Sequence, residues 1–309
     1  MTHSTPTMSS AVDAPRIEIA SAAGHLSYYV AGEGAPLLLI HSINAAGSVY
    51  EVKPIFEHYR RTRRVYALDL PGFGFSERSA RRYDVALYTS ALDAMFEVMN
   101  VDNDGQSVDA LALSLSSEFL ARVASNARHE ALRSLALITP TGFNRGADQM
   151  REAQGSTREM AWLHSVLTVG LWRKGLYGLL TRPGTIRYFL KRTNGSDTFD
   201  EGLAAYDDVI TDQPGAEHAP YAFLSGGLFS KDIRNVYESL TLPVFLGHGT
   251  RGDFKDFSEA TWTETRANWT RAAFESGALP HFDVPDPFFS ALDAFYASVA
   301  ANATAPDPE

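Results

Sequence analysis

The residue whose setting suggests chemistry is Ser114, in the stretch Val108-Asp109-Ala110-Leu111-Ala112-Leu113-Ser114-Leu115-Ser116-Ser117-Glu118-Phe119-Leu120. A short apolar run precedes it, a helical run follows, and the serine falls at the tight turn between them. That layout is a nucleophile elbow, usually written G-x-S-x-G, which presents a serine hydroxyl at the end of a strand. Such a hydroxyl attacks a carbonyl only when a base takes its proton. Here the motif reads Ala112-Leu113-Ser114-Leu115-Ser116, with both glycines replaced by the next smallest residues. Small flanks are needed because strand and helix backbones come close there, and glycine tolerates the strain best. Alanine and serine still fit, so the motif is weakened rather than lost. The alternative is an ordinary helix start, with Ser116 or Ser117 as its N-cap and no chemistry.

Other chemistries are excluded more directly. The chain has no cysteine, which rules out disulfides, thiolate metal sites and a cysteine nucleophile. This composition fits a reducing compartment, and a cytoplasmic location is expected. No group of His, Asp and Glu has ligand spacing, so neither a metal nor another cofactor is expected. Net charge is −10, which disfavours a nucleic-acid partner. The one basic cluster, Arg60-Arg61-Thr62-Arg63-Arg64, lies at a helix-to-strand junction, where it complements the helix dipole. No segment offers about 18 uncharged apolar residues, so no stable membrane insertion is expected.

The elements that must position Ser114 alternate in type. With 309 residues, 45% of them hydrophobic, the chain can build one large α/β domain or two modest ones. Residues 16–20 and 26–30 alternate like half-buried strands around a turn at Gly24 and form a hairpin. Pro36–Ile40, Arg64–Leu70, Leu132–Ile138 and Leu242–Gly249 read as buried strands, with a last strand at Arg271–Glu275. Helices are expected over Tyr50–Tyr59, Tyr83–Met99, Ser117–Ala127, Glu259–Trp269 and Pro287–Ala300. Such alternation implies a mostly parallel sheet covered on both faces. From Phe143 to Ser239 the strands stop and the pattern is helical and aromatic. The expected division is a disordered tail at 1–15, a core at 16–142 and 240–301, a helical cap at 143–239, and a disordered tail at 302–309. The first tail is rich in Ser, Thr and Ala and lacks the apolar region of a signal peptide.

Over residues 16–301 the chain resembles the α/β-hydrolase superfamily, in particular its capped, esterase- and dehalogenase-like members. His41-Ser42 stands where the family has His-Gly before its oxyanion loop. Asp69-Leu70-Pro71-Gly72-Phe73-Gly74-Phe75-Ser76 matches the family's D-x-P-G-x-G-x-S turn, the most specific part of the likeness. The resemblance implies Ser114 as nucleophile and the backbone N–H groups of Leu115 and Ile43 as oxyanion donors. It also implies Asp253, in Gly249-Thr250-Arg251-Gly252-Asp253, as the acid that orients a base; an ordinary polar turn is an equal alternative for that residue.

The base is where the chain departs. The family ends in G-H-x-P-x-x-E-x-P, and here the segment is Gly277-Ala278-Leu279-Pro280-His281-Phe282-Asp283-Val284-Pro285. Pro280, Asp283 and Pro285 keep register, so Ala278 stands in the histidine's place. Losing that histidine costs on the order of 10⁶ in kcat. His281, three residues on, is the candidate replacement; a polar or supporting role is its alternative. His41 and His248 end strands and are read as packed histidines, and Glu118 is read as pointing away.

Met160 to Trp172 is strongly apolar until Arg173 and Lys174 stop it. It reads as cap core, or as an apolar roof over a pocket for a lipophilic or aromatic substrate. Interfacial membrane contact is a third reading, weakened by the net charge. His41, Asn44, Trp162 and Tyr221 are expected to line that pocket, with His218 as a polar contact. The expected function is an α/β-hydrolase-fold enzyme acting on a small apolar ester-like substrate through Ser114, with a non-standard or missing base. The alternatives are a non-hydrolytic lyase- or cyclase-like enzyme and an inactive ligand-binding homologue. Nothing in the sequence specifies an oligomeric state.

Overall fold

The computed structural model describes residues 7–126, 131–147 and 151–304. Ala127, where the helix after Ser114 was expected to end, lies outside the described residues. So do residues 1–6 and 305–309 of the two expected tails and residues 148–150 of the expected cap.

Eight strands form one sheet. They are β1 (Arg16–Ser21), β2 (Gly24–Ala31), β3 (Pro36–Ile40), β4 (Arg64–Asp69), β5 (Val108–Leu113), β6 (Leu132–Ile138), β7 (Val244–Gly249) and β8 (Trp269–Phe274), in the spatial order β1-β2-β4-β3-β5-β6-β7-β8. β1 and β2 pair antiparallel, as do β2 and β4, and every later pairing is parallel. Every residue of β3 and β5 is buried, as expected of central strands covered on both faces.

Helices α1 (Lys53–Tyr59), α2 (Val85–Asp102) and α3 (Ser116–Ser125) connect the strands of the first half. Asp84 caps α2 by accepting the Leu87 N–H at 2.9 Å. One core layer joins α2 and α3 to the sheet through residues such as Leu92, Met95 and Phe119. The other packs α1 and the C-terminal helix through Phe56, Phe288 and Phe295. Between β6 and β7 come α4 (Ala161–Leu167), α5 (Arg173–Leu180), α6 (Pro183–Asn194), α7 (Glu201–Thr211), α8 (His218–Leu224) and α9 (Ile233–Glu238). The chain closes with α10 (Pro280–Asp283) and α11 (Pro285–Thr304).

Three expectations are corrected. The helix expected over Glu259–Trp269 is a 3₁₀ helix at Ser258–Thr265. Thr263 and Thr265 each donate a hydroxyl to the carbonyl three residues back, and β-branched residues weaken an α-helix. The N-terminal segment expected to be disordered is packed from Met8 on. Ala11 and Val12 are buried, the Ala11 N–H donates to the Tyr29 hydroxyl, and Tyr206 donates to the Ser9 carbonyl at 3.0 Å. Composition does not register anchoring by backbone groups. At the other end, residues 302–304 belong to α11 rather than to a tail.

Candidate active site

The carboxyl ends of β3, β5 and β6 meet where ligands bind in open α/β sheets. Ser114 sits there with φ +51°, a left-handed backbone that a non-glycine residue adopts at a cost of about 1–2 kcal/mol. The Ser114 N–H is tied to the Ile138 carbonyl at 2.8 Å, and the Ser117 N–H to the Ser114 carbonyl at 3.1 Å. Among the described residues its hydroxyl has no hydrogen-bond partner. Ser116, at the motif's second glycine position, is fully buried, and its hydroxyl donates to the His41 carbonyl at 2.6 Å. Ser117 donates likewise to Ala112, so neither serine side chain caps α3.

The oxyanion loop lies beside the elbow because β3 and β5 are paired. Ile43 and Leu115 are buried, and among the described residues neither N–H has an acceptor. The Asp69 turn braces the loop: the Asp69 carboxylate accepts from the Val49 and Phe75 N–H groups at 3.3 and 2.9 Å. Gly74 has φ +49°, and a Cβ there would run into the Asp69 carboxyl group, so the second glycine of the turn is obligatory.

Among the described residues no imidazole is hydrogen-bonded to the hydroxyl. His41 accepts the Leu70 N–H on Nε2 at 3.0 Å and donates from Nδ1 to the Ser42 carbonyl at 2.6 Å, so both ring nitrogens are occupied. Burial lowers its pKa to about 4, and it stays neutral. His248 is occupied in the same way by the Arg271 Nε–H and the Gly249 carbonyl. His281 is fully buried, and its Nε2 donates to the Glu51 carbonyl at 2.7 Å. Its Nδ1 has no partner, and burial again lowers its pKa to about 4. Asp253 does not orient it. The Asp253 carboxylate is half exposed and pairs with Arg192 of α6 at 2.7 Å. Thus Ser114, Asp253 and His281 are not brought into one hydrogen-bonded array among the described residues. Glu118 turns from the elbow toward Thr141 and the Ser230 N–H, and burial pushes its carboxyl up to about 7.

Ala278 is at the site. Its carbonyl accepts the Thr139 hydroxyl at 2.8 Å, and Thr139 follows the strand β6 that flanks the elbow. Thr139 itself has φ +47°, a strained backbone for a β-branched residue. The end of α6 presses on this loop. The Ala278 N–H donates to the Thr193 carbonyl, and a Cβ on Gly277 would collide with Asn194. Asp283 accepts from the Gly277 N–H and from the Asn194 side chain, both at 2.8 Å.

The expected pocket residues divide. Asn44 donates to Ser42 Oγ and to the Glu51 carboxylate, so it shapes the oxyanion loop. Trp162 is 68% exposed, whereas Tyr221 is fully buried and donates to the Arg173 carbonyl. A hollow of about 400 Å³ is lined by Arg81, Arg82, Tyr83, Asp84, Glu159 and His164 among others. A smaller one lies over the oxyanion loop between Gly47, Phe73, Gly74 and Tyr177. None of Ser114, His41, Asn44, Trp162 and Tyr221 lines either.

Sequence reasoning missed Glu51. Its buried carboxylate accepts from the Ser42 N–H at 2.7 Å, from Ser42 Oγ and from Asn44. Burial pushes its pKa up against those three hydrogen bonds. Asp207 of α7 is also buried and raised, first by desolvation and then by the charge of Glu51. The available signal was an acid inside the apolar run Val49-Tyr50-Glu51-Val52.

A family model described as the alpha/beta hydrolase family matches residues 37–292. A search of curated protein sequences finds no match. Similar solved structures include a thermophilic esterase from Thermogutta terrifontis, at 19% identity and TM-score 0.69, covering 93% of this chain and 99% of that one. The enol-lactonase from Burkholderia xenovorans LB400 is similar at 16% identity and TM-score 0.69, covering 91% and 100%. The epoxide hydrolase CorEH is similar at 20% identity and TM-score 0.69, covering 93% and 100%. At these identities the likeness is one of fold.

Proposed function

The chain belongs to the alpha/beta hydrolase family, and on that premise we propose that it is a serine-nucleophile enzyme for a small apolar ester-like substrate, working without an imidazole base. The observation that carries the reading is the strained, unpartnered Ser114 beside two unoccupied N–H donors. A fold that keeps a non-glycine residue at φ +51° retains a cost that a plain helix start would not require.

In this reading Ser114 Oγ bonds to the ester carbonyl carbon while the carbonyl electron pair moves to oxygen. The Leu115 and Ile43 N–H groups meet that oxyanion. The hydroxyl proton passes to solvent hydroxide, because both ring nitrogens of His41 and His248 are engaged, and His281, bound through Nε2 to the Glu51 carbonyl, is a weak base with its pKa lowered to about 4 by burial. The alkoxide leaves with a proton from water, and a second water releases the acid. Oxyanion donors and binding alone sustain roughly 10³ to 10⁴ over the uncatalysed rate; attack by Ser114 with hydroxide as base adds only modestly to that floor, so turnover is slow. The esterase and enol-lactonase named above suggest the ester class by their names.

The competing reading is a scaffold that converts or holds an apolar ligand without Ser114, and Ala278 is the observation that favours it. A fluorophosphonate probe with intact-mass detection, run beside ester turnover, separates the two. The expected result is one equivalent of label on the parent protein and none on Ser114→Ala, with ester turnover of that variant below the parent's and no lower than the level the oxyanion donors sustain. Equal turnover by the two proteins removes Ser114 from the mechanism.

A further inference from the structure

The α4–α6 face carries a second feature, independent of Ser114. α4 is the heptapeptide Ala161-Trp162-Leu163-His164-Ser165-Val166-Leu167, and none of its residues is buried. α5 buries only Tyr177, and α6 only Ile186 and Asn194. Of thirteen exposed large hydrophobic residues among those described, nine lie between Met160 and Phe189; Leu171 is 88% exposed, and Trp162, Trp172, Tyr188 and Phe189 stand out with it. Of the three readings of Met160–Trp172, cap core accounts for Leu167, which packs partly on the cluster of Tyr177, Ala216 and Tyr221, but not for the exposed Trp162, Leu171 and Trp172. Exposed apolar residues concentrated in one stretch of a folded domain mark a contact with something else.

The charges identify the partner. Residues 160–192 contain six Lys or Arg and no Asp or Glu, in a chain whose net charge is −10. Arg173, Arg187, Lys191 and Arg192 are held by Glu217, Asp208, Asp197 and Asp253, which come from outside that stretch. Lys174 and Arg182 are exposed, and no ion pair engages either among the described residues. A second copy of the chain, docked by this face, would set the same cations against each other. Anionic headgroups would neutralise them, while tryptophan and tyrosine are the side chains that favour the depth just below headgroups. No helix among the described residues is long and apolar enough to cross a membrane.

We propose that the α4–α6 face is a docking surface that holds the protein peripherally on a bilayer bearing anionic lipid headgroups. Leu171 and Trp172 enter the acyl boundary, Trp162, Tyr188 and Phe189 widen the apolar footprint, and Lys174 and Arg182 meet the headgroups.

The test is co-sedimentation of the full chain with vesicles of phosphatidylglycerol and phosphatidylcholine in equal parts, against vesicles of phosphatidylcholine alone. Partitioning should be at least about tenfold stronger on the anionic vesicles and should fall with salt. Tryptophan emission should shift to the blue on binding. Lys174→Glu with Arg182→Glu should weaken binding about tenfold or more, and Leu171→Asp with Trp172→Asp should abolish it. All these positions are exposed, and unchanged far-ultraviolet circular dichroism verifies that the variants fold. Ser114→Ala should bind vesicles like the parent, so this proposal and the catalytic one fail separately. No association with anionic vesicles, or equal association with both kinds, would overturn the proposal. So would a dimer in solution that Leu171→Asp dissolves, since the face would then belong to a second copy.

Discussion

Ala278→His should raise ester turnover about 100-fold over the parent protein. The magnitude follows from two costs measured in serine hydrolases. Loss of the histidine costs on the order of 10⁶ in kcat. A histidine left without its orienting carboxylate still runs about 10⁴ below the full triad. A new imidazole at position 278 would be in the second condition, because Asp253 is committed to Arg192. The gain is then the quotient of the two. The site for it exists: Ala278 is partly exposed, its carbonyl is fixed by Thr139, and its N–H is fixed by Thr193. The double variant Ser114→Ala/Ala278→His should show none of that gain, which ties it to the hydroxyl. Unchanged turnover by a folded Ala278→His protein would place this loop outside the reach of Ser114.

The largest effect on stability is expected at Asp109, at the start of the strand that carries Ser114. Its side chain is fully buried, with Arg63 and Arg133 on the carboxylate and Ser134 donating at 2.6 Å. Burial pushes its carboxyl up, but the hydrogen bonds and charges of Arg133, Arg63 and Ser134 outweigh that and hold it below the usual range. Asp109→Asn removes the charge and leaves two guanidinium groups, one of them buried, with no counter-ion among the described residues. The expected loss is about 3–5 kcal/mol, the cost of breaking a buried ion pair from one side, read by urea denaturation at neutral pH. The pH dependence has a definite sign. A folded-state pKa below the unfolded one contributes stability that is present above about pH 4 and is lost as pH falls through the folded value. The gap between parent and variant should therefore narrow in acid. A gap of the same size in strong acid would mean that shape rather than charge sets the cost.

What the sequence discloses and what it hides divide along physical lines. The Asp69 turn is legible because backbone geometry there tolerates no substitute for Gly74, and the acid and the glycine are five residues apart. The Ala278 loop is legible because its neighbours keep their spacing, and Asp283 does hold the Gly277 N–H. Ser114 is legible through the small residues that a strained turn requires. The direction of each imidazole is not. His281 faces the Glu51 carbonyl, 230 residues away in sequence, and local pattern carries no trace of such a partner. Asp253 is similar, since Arg192 comes from α6. The apolar run at Met160–Trp172 misleads for a different reason. Periodicity reports that a helix has an apolar face, but not whether the same chain supplies the surface that covers it.

The proton of Ser114 has no imidazole to receive it in this reading, and the pH dependence of fluorophosphonate labelling at that residue decides whether this holds. With hydroxide as the acceptor, the second-order labelling rate should climb about tenfold per pH unit from about pH 6 to about pH 9, with no plateau. A rate that is flat across this range, as a histidine held at about 4 would give, or one that levels off above about pH 7 with an inflection near the ordinary histidine value of about 6.5, would show a histidine acting on that hydroxyl.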